Sequence, residues 1–486
     1  MCGIAGFSDF QNDFLLDADR WKRVLVDMRT AIARRGRDQT GEYLRANVGF
    51  AHTRLSIRDI PGGRQPMVRS AGGADYAIVY NGEIYNTDEL KPELQKAGYE
   101  FRTTTDTEVI LYAYMEYGAG FAEKLNGIFA AAVWDGRLER LVLCRDRAGV
   151  KPLFYSIRDG ALIFGSEIKA LFRHPAVTPE VDMDSFREIF GMGPARTPGC
   201  GVFKNIREVR PGCLAVFSRE GFRETPYWTL QAREHTDGYP RTVETVSYLV
   251  RDAVARQMVA DVPVCTFLSG GIDSSIVTAL ASNYLKKKGG KLNTFSFDFV
   301  ENDRYFKANS FQPERDRPYV DRMLKAYDLN HTYLECDDAG LVDTLFDAVR
   351  AKDLPGMTDV DGSLLYFCAL VKKHNKVALT GECADEIFGG YPWFYREDLL
   401  NADGFPWSKD LSARTVLLGE DFIKRLDIDD YVRFRYRESI DMVPRLDGES
   451  ADEKRRREVS FLNMRWFMQT LLDPEVPIPY TSSMCA

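Results

Sequence analysis

The 486-residue chain has no apolar run approaching the length of a membrane span, and its N-terminus lacks the pattern of a secretory leader. No membrane partner is therefore expected. A surplus of positive charge is also missing. The net charge is −8, from 64 Lys plus Arg against 72 Asp plus Glu, and no long basic run occurs. Without that electrostatic footprint, no nucleic-acid partner is expected. The nine cysteines are odd in number and scattered, with no close pairs of the metal-ligand type. A reduced, cytoplasmic protein is the expectation. Internal repeats and low-complexity segments are absent as well.

What is present is an ordinary globular composition, 45% apolar and 28% charged, in a chain long enough for two or three domains. The mixed-sign run from Asp452 to Glu458 reads as a solvated helix face. In the first half, short apolar runs at Cys2–Ser8, Tyr76–Tyr80, Ile128–Trp134 and Arg140–Arg145 predict strands. Helical periodicity appears at Arg20–Arg34 and Thr107–Tyr117. Sheet layers covered by helices are the expected result. Pro211 to Pro240 is rich in turn formers and reads as a linker. Beyond it, a helix at Val243–Met258 precedes strands at Val264–Leu268, Thr294–Phe297 and Val377–Leu379, with helical stretches between. That alternation predicts a doubly wound parallel sheet, so the fold class is α/β.

If the initiator methionine is removed, Cys2 becomes a thiol with a free α-amine on the same residue. An α-amine titrates near pH 7.7–8.0, so much of it is neutral and able to take the thiol proton. In the second half, Ser269-Gly270-Gly271-Ile272-Asp273-Ser274-Ser275 occupies a strand-to-helix junction. Glycines permit close approach of an anion, the helix N-terminus supplies amide donors, and the serines add hydroxyls. Asp273 is of the type that ligates Mg²⁺. The Gly-Lys-Ser/Thr ending of the ordinary P-loop is missing, which disfavours a kinase or GTPase. An N-cap after a tight turn would also satisfy these residues. A second cluster, Thr380-Gly381-Glu382-Cys383-Ala384-Asp385-Glu386, puts acids at the same sheet edge. Crowded carboxylates are tolerated best around a cation or as proton-transfer groups. A capped helix start is the competing explanation.

Taken together, the chain resembles glutamine-dependent asparagine synthetases, class II glutamine amidotransferases joined to a PP-loop ATP pyrophosphatase domain. The resemblance rests on Cys2-Gly3-Ile4-Ala5-Gly6, Arg54-Leu55-Ser56-Ile57, Tyr80 to Asn86, Asp106-Thr107-Glu108, Arg145-Asp146-Arg147, Gly149 to Leu153 and Ser166 to Ala170. In the second half it rests on Ser269 to Ser275, Gly381-Glu382 and Asp385 to Tyr391. It implies an N-terminal-nucleophile αββα sandwich over residues 2–218 and a synthetase domain over 228–486. Cys2 would attack the glutamine amide, with Asn81 and Gly82 as oxyanion donors. Arg54 would clamp the glutamine carboxylate bidentately, Asp106 and the Glu83 region would receive its ammonium, and Ile57 and Arg58 would make backbone contacts. Leu268, Ser269, Gly270, Gly271, Asp273, Ser274, Phe297, Thr380 and Gly381 would contact ATP. Asp273 and Asp385 would hold Mg²⁺, and Glu382 would act as general base toward ammonia. Glutamine, aspartate and ATP are the implied small-molecule substrates, and a homodimer the implied assembly.

Some positions depart from the family pattern. Arg34-Arg35-Gly36-Arg37-Asp38 stands where His-Arg-Gly-Pro-Asp is usual, which is expected to loosen that turn. Cys383 replaces a common glycine and, being small, is expected to matter little. After Asp473 the family continues with a basic segment carrying a phosphate-contacting lysine. Here Pro474, Pro477 and Pro479 interrupt any helix, and a shortened gene product is the expectation. Two other readings stay open: a sibling amidotransferase acting on another adenylated carboxylate, and a shortened chain with glutaminase activity or ligand binding alone.

Overall fold

The computed structural model describes residues 1–308, 314–408, 410–472 and 480–482. The first half contains two six-stranded antiparallel sheets stacked face to face. One runs, in spatial order, Arg207–Glu208, Phe154–Arg158, Ala161–Gly165, Gly3–Asp9, Val48–Arg54, Gln39–Arg45. The other runs Gly221–Pro226, Cys213–Ser218, Arg140–Arg145, Gly127–Asp135, Ala74–Ile84, Met67–Ala71. Ile4, Phe50, Ala77, Val79, Ala130, Leu143 and Phe164 fill the space between them. The opposite faces are covered too. Ile78 and Tyr80 pack with Leu90, Leu94 and Ile110 of helices Thr87–Lys96 and Asp106–Tyr117. Phe7 and Ile163 pack with Leu25 and Met28 of helix Ala18–Ala31. Ala77 and Ile78 thus point to opposite layers, as the period-2 pleat requires. This is the expected αββα sandwich.

The turn-rich stretch after Pro211 is not wholly a linker. Cys213–Ser218 and Gly221–Pro226 form a hairpin, with Leu214 opposite Thr225 and Phe217 opposite Phe222. Leu214 joins the helix-side core while Cys213, Ala215 and Phe217 face the other sheet. With both faces buried, the strand loses the apolar-polar alternation that would have marked it. No regular element occurs between Pro226 and Tyr239.

The second half is built on a parallel sheet in the order Leu329–Cys336, Leu292–Phe299, Val264–Phe267, Val377–Leu379, Tyr480–Ser482. Leu329–Cys336 was not among the expected strands. It is polar and only partly buried, so it lacks the apolar run of its neighbours. The chain winds outward from Val264–Phe267 through two strands, then returns to place Val377–Leu379 on the other side. The switch point therefore lies between those two strands, where such sheets bind ligands.

The Asp452–Glu458 run lies on helix Ala451–Leu462, capped by a Ser450–Glu453 box. Its face is not uniformly solvated, however. Arg455 donates to the carbonyls of Leu400 and Ala402, and Glu458 is paired with Arg445 at 2.9 Å. Pro474, Pro477 and Pro479 lie outside the described residues. Among the described residues no helix is long and apolar enough to cross a membrane.

Candidate active sites

The pairing of Gly3 with Thr53 sets Cys2 beside the segment that follows Arg54. The Cys2 thiol donates to the Leu55 carbonyl at 3.6 Å, and the Cys2 carbonyl accepts Arg35 Nε at 2.9 Å. Arg35 is buried and paired with the half-buried Glu167 at 3.1 Å, so the Cys2 backbone is anchored by a buried arginine held in an ion pair. Burial pushes the thiol above its usual value, against the N-terminal ammonium, the Leu55 hydrogen bond and Arg54. Met1 is present and buried among Ile57, Ile128, Val150 and Val254, so here the Cys2 nitrogen is an amide.

Asn81 and Gly82 lie on strand Ala74–Ile84. Both Oδ1 and Nδ2 of Asn81 are buried without a hydrogen-bond partner. A buried amide left unsatisfied is costly, and its presence suits a donor reserved for a ligand. A Cβ on residue 82 would lie 2.1 Å from the Ile128 carbonyl oxygen, so only glycine fits against that strand. Glu83 is held well above the usual carboxylate range by burial and by Asp106 nearby. Asp106 Oδ2 accepts from Tyr80 Oη at 2.9 Å and from the Ile84 amide at 3.1 Å. An ammonium group placed between the two carboxyls would relieve their repulsion.

Arg54 is not arranged as the expected two-pronged clamp. Its Nη1 donates to Gln39 Oε1 and the Ile60 carbonyl, and its Nη2 to the carbonyls of Arg58 and Asp59. The four terminal N–H groups are thus committed to shaping the loop after Ile57. The Ile57 carbonyl accepts from the Asp261 amide at 3.0 Å, and Arg58 donates to the Ile84 carbonyl at 3.0 Å. The Arg34–Asp38 turn keeps its place without proline: the Asp38 amide donates to the Arg54 carbonyl, and a Cβ on Gly36 would meet the Arg54 backbone at 2.4 Å.

At the switch point, helix Ile272–Lys287 begins directly after the glycine turn. Gly270 has φ +86°, and a Cβ there would meet Tyr319 at 2.7 Å. Ser269 and Ser274 hydroxyls share a 3.0 Å hydrogen bond across the loop. A cavity of about 150 Å³ next to it is lined by Leu268, Ser269 and Phe297, and also by Asp298, Arg317 and Tyr333. The last three come from strands and a helix that only tertiary contact assembles, and sequence reasoning missed them. Gly381 packs on the helix start, bringing the acidic loop onto the glycine turn. Asp273 is raised by burial and by Asp385; Asp385 by burial; Glu386 by burial, with Asp385 and Asp273 adding. The charged neighbours acting on Asp273 and Glu386 are other carboxylates, a donor set that suits a hard divalent cation shared with phosphates. Glu382 is solvent-exposed as a residue, yet the protein mass around its carboxyl pushes it up to about 6, with Glu386 adding and a Thr380 hydrogen bond opposing. Glu386 also accepts from Tyr391 Oη at 2.6 Å, a pairing the sequence did not suggest.

Residues 1–228 match the glutamine amidotransferase domain, and residues 245–478 match asparagine synthase. The chain is 46% identical over 474 residues to asparagine synthetase [glutamine-hydrolyzing] 3 of Bacillus subtilis, covering 97% of this chain and 76% of that protein. The chain belongs to the glutamine-hydrolysing asparagine synthetase family. A putative asparagine synthetase 2 of Methanocaldococcus jannaschii is 30% identical over 87% of this chain and 84% of its own length. Bacillus subtilis asparagine synthetase 1 is 32% identical, and there the chain spans 60% of the relative.

In a member of this family the Cys383 replacement is not a matter of size. Cys383 has φ +71°, in the left-handed region, where a side chain is disfavoured. The expectation of a minor change is corrected on that ground: the glycine it replaces would carry no such strain.

Proposed function

We propose that this chain converts ATP, L-aspartate and L-glutamine to L-asparagine, L-glutamate, AMP and diphosphate. Residues 2–218 would act as the glutaminase and residues 228–486 as the synthetase. The observation that carries this reading is the union, in one chain, of a half-buried Cys2 whose thiol meets the Leu55 carbonyl and an unsatisfied Asn81 amide with a glycine-turn, carboxylate-rich switch point.

With Met1 removed, Cys2 attacks the glutamine amide carbon and its thiol proton passes to the leaving ammonia through the α-amine. Asn81 Nδ2 and the Gly82 amide receive the developing oxyanion. Water then releases glutamate from the thioester. Glu83 and Asp106 take the ammonium of glutamine, while Arg54, Ile57 and Arg58 shape the wall around it. In the second half, Leu268 to Ser274, Phe297, Thr380 and Gly381 cradle ATP. The aspartate β-carboxylate attacks the α-phosphorus and diphosphate leaves; ammonia then displaces AMP, with Glu382 accepting a proton. Asp273 and Asp385 fit Mg²⁺, which when bound neutralises phosphate charge. The reading places the enzyme in the cytoplasm, supported by eight free cysteines among the described residues.

Purified chain is incubated with ATP, Mg²⁺ and aspartate, plus glutamine or ammonia. AMP and asparagine formed from either nitrogen source support the reading. Glutamate without AMP would favour the glutaminase-only alternative, and AMP with a different carboxylate would favour a sibling enzyme.

A further inference from the structure

The segment from Leu55 to Gly62 walls the glutamine site and is also one of the places where the two halves of the chain touch. Part of its hold is internal. Arg54 donates to the carbonyls of Arg58, Asp59 and Ile60, and the Asp59 carboxylate accepts from the amides of Gly62 at 2.8 Å and Thr104 at 2.7 Å. The rest comes from the synthetase half. Asp261 Oδ2 accepts from the Asp59 amide at 2.8 Å, while the Asp261 amide donates to the Ile57 carbonyl at 3.0 Å. Lys376 Nζ meets Asp38 Oδ2 at 2.8 Å, and that same oxygen accepts from the Ser56 amide at 2.8 Å. Ser56 and Asp59, flanking Ile57 and Arg58, are therefore each fixed by a carboxylate that the other half supplies or anchors. Leu55, next in line, takes the Cys2 thiol hydrogen bond.

Given that this site hydrolyses glutamine, we propose that Asp261 and Lys376 are positioning residues for it, setting the wall segment from the synthetase half. Neither touches the reacting atoms. Their placement is not arbitrary. Asp261 stands just before the four-residue strand Val264–Phe267, and Lys376 immediately before the three-residue strand Val377–Leu379. Those strands lead into the phosphate loop and the acidic loop at their other ends. The glutamine wall thus rests on the bases of the two strands whose tips form the nucleotide site. Asp38 reports the same contact: burial opposes its ionisation, yet Lys376 and the Ser56 amide hold its carboxyl below the usual range.

Both anchors are accessible: Asp261 is exposed, and the Lys376 side chain is 41% and its Asp38 partner 31% exposed. Exposed pairs contribute little to stability. Their loss is therefore read in the geometry of the wall rather than in folding. Glutamate release by the full-length protein is followed against glutamine concentration for Asp261→Ala, Lys376→Met, Lys376→Arg and the unsubstituted chain. The KM for glutamine rises about fivefold in Asp261→Ala and in Lys376→Met, equivalent to roughly 1 kcal/mol each. The kcat changes less than about twofold, and Lys376→Arg restores KM because it keeps the cation. Thermal midpoints stay together, separating this from a folding defect. An unchanged KM in both variants overturns the proposal, as does a Lys376→Met effect that arginine fails to rescue. If the unsubstituted chain released no glutamate, the proposed function would fail first, and this inference with it.

Discussion

Residue 381 rests directly on Asp273: a Cβ built on Gly381 would lie 2.8 Å from the Asp273 Cβ and 2.8 Å from the Ser274 amide nitrogen. Two loops more than 100 residues apart are thereby joined with no space between them. Gly381→Ala is expected to push the acidic loop off the start of helix Ile272–Lys287 and weaken nucleotide use. ATP titration of AMP formation checks this, with at least a tenfold rise in KM expected, about 1.4 kcal/mol. An unaltered KM would show that the loops are not coupled.

Position 383 is expected to reject branched side chains. A β-branched residue with φ near the +71° of Cys383 is strained by about 1–2 kcal/mol. Cys383→Val should lower the unfolding midpoint in denaturant, whereas Cys383→Ser should not.

Glu382 predicts a pH dependence. Its carboxyl, raised to about 6, is protonated below that pH and cannot accept a proton there. Asparagine formation from ammonia should therefore fall as pH drops through about 6, after correction for the ammonia present. Stability moves the other way. Between the unfolded value of 4.5 and the folded value of about 6, the native state binds more protons than the unfolded chain. Native stability is thus lost as pH rises through that window. Glu382→Gln should exceed the parent in stability at pH 7.5, with the difference gone below pH 4.5. Denaturant midpoints at several pH values test it.

Asn81→Ala should separate catalysis from folding. The side chain has no partner in the native fold, so its removal forfeits no hydrogen bond. Removing one oxyanion donor costs on the order of 10²–10³ in kcat. Steady-state glutamate release alongside a melting curve distinguishes the two effects; a parallel collapse of both would assign Asn81 to structure.

The readings that succeeded were local ones. Strand Val264–Phe267 followed by glycines and a helix can be seen in consecutive residues, because turn chemistry and helix capping act within a few positions. The hairpin Cys213–Pro226 escaped notice because its two faces are buried by layers from far along the chain. Arg54 was expected as a clamp for the glutamine carboxylate, but the four acceptors that occupy it were not legible, since they come from strand Gln39–Arg45 and from a loop whose path depends on the sheets around it.

By itself the amino-acid sequence determined the residue types at each centre: the thiol at position 2, the amide at 81, the glycine turn at 270–271 and the carboxyls at 273, 382 and 385. Chemistry carried by a side chain needs no fold to be recognised. Only tertiary structure decided how those groups are held. The Glu382 carboxyl is raised by the protein mass around it, Cys383 is placed in a left-handed turn, and Asp261 and Lys376 reach from one half of the chain to brace the other. Each of these depends on which distant atoms exclude water or fill space, and no run of neighbouring residues specifies that.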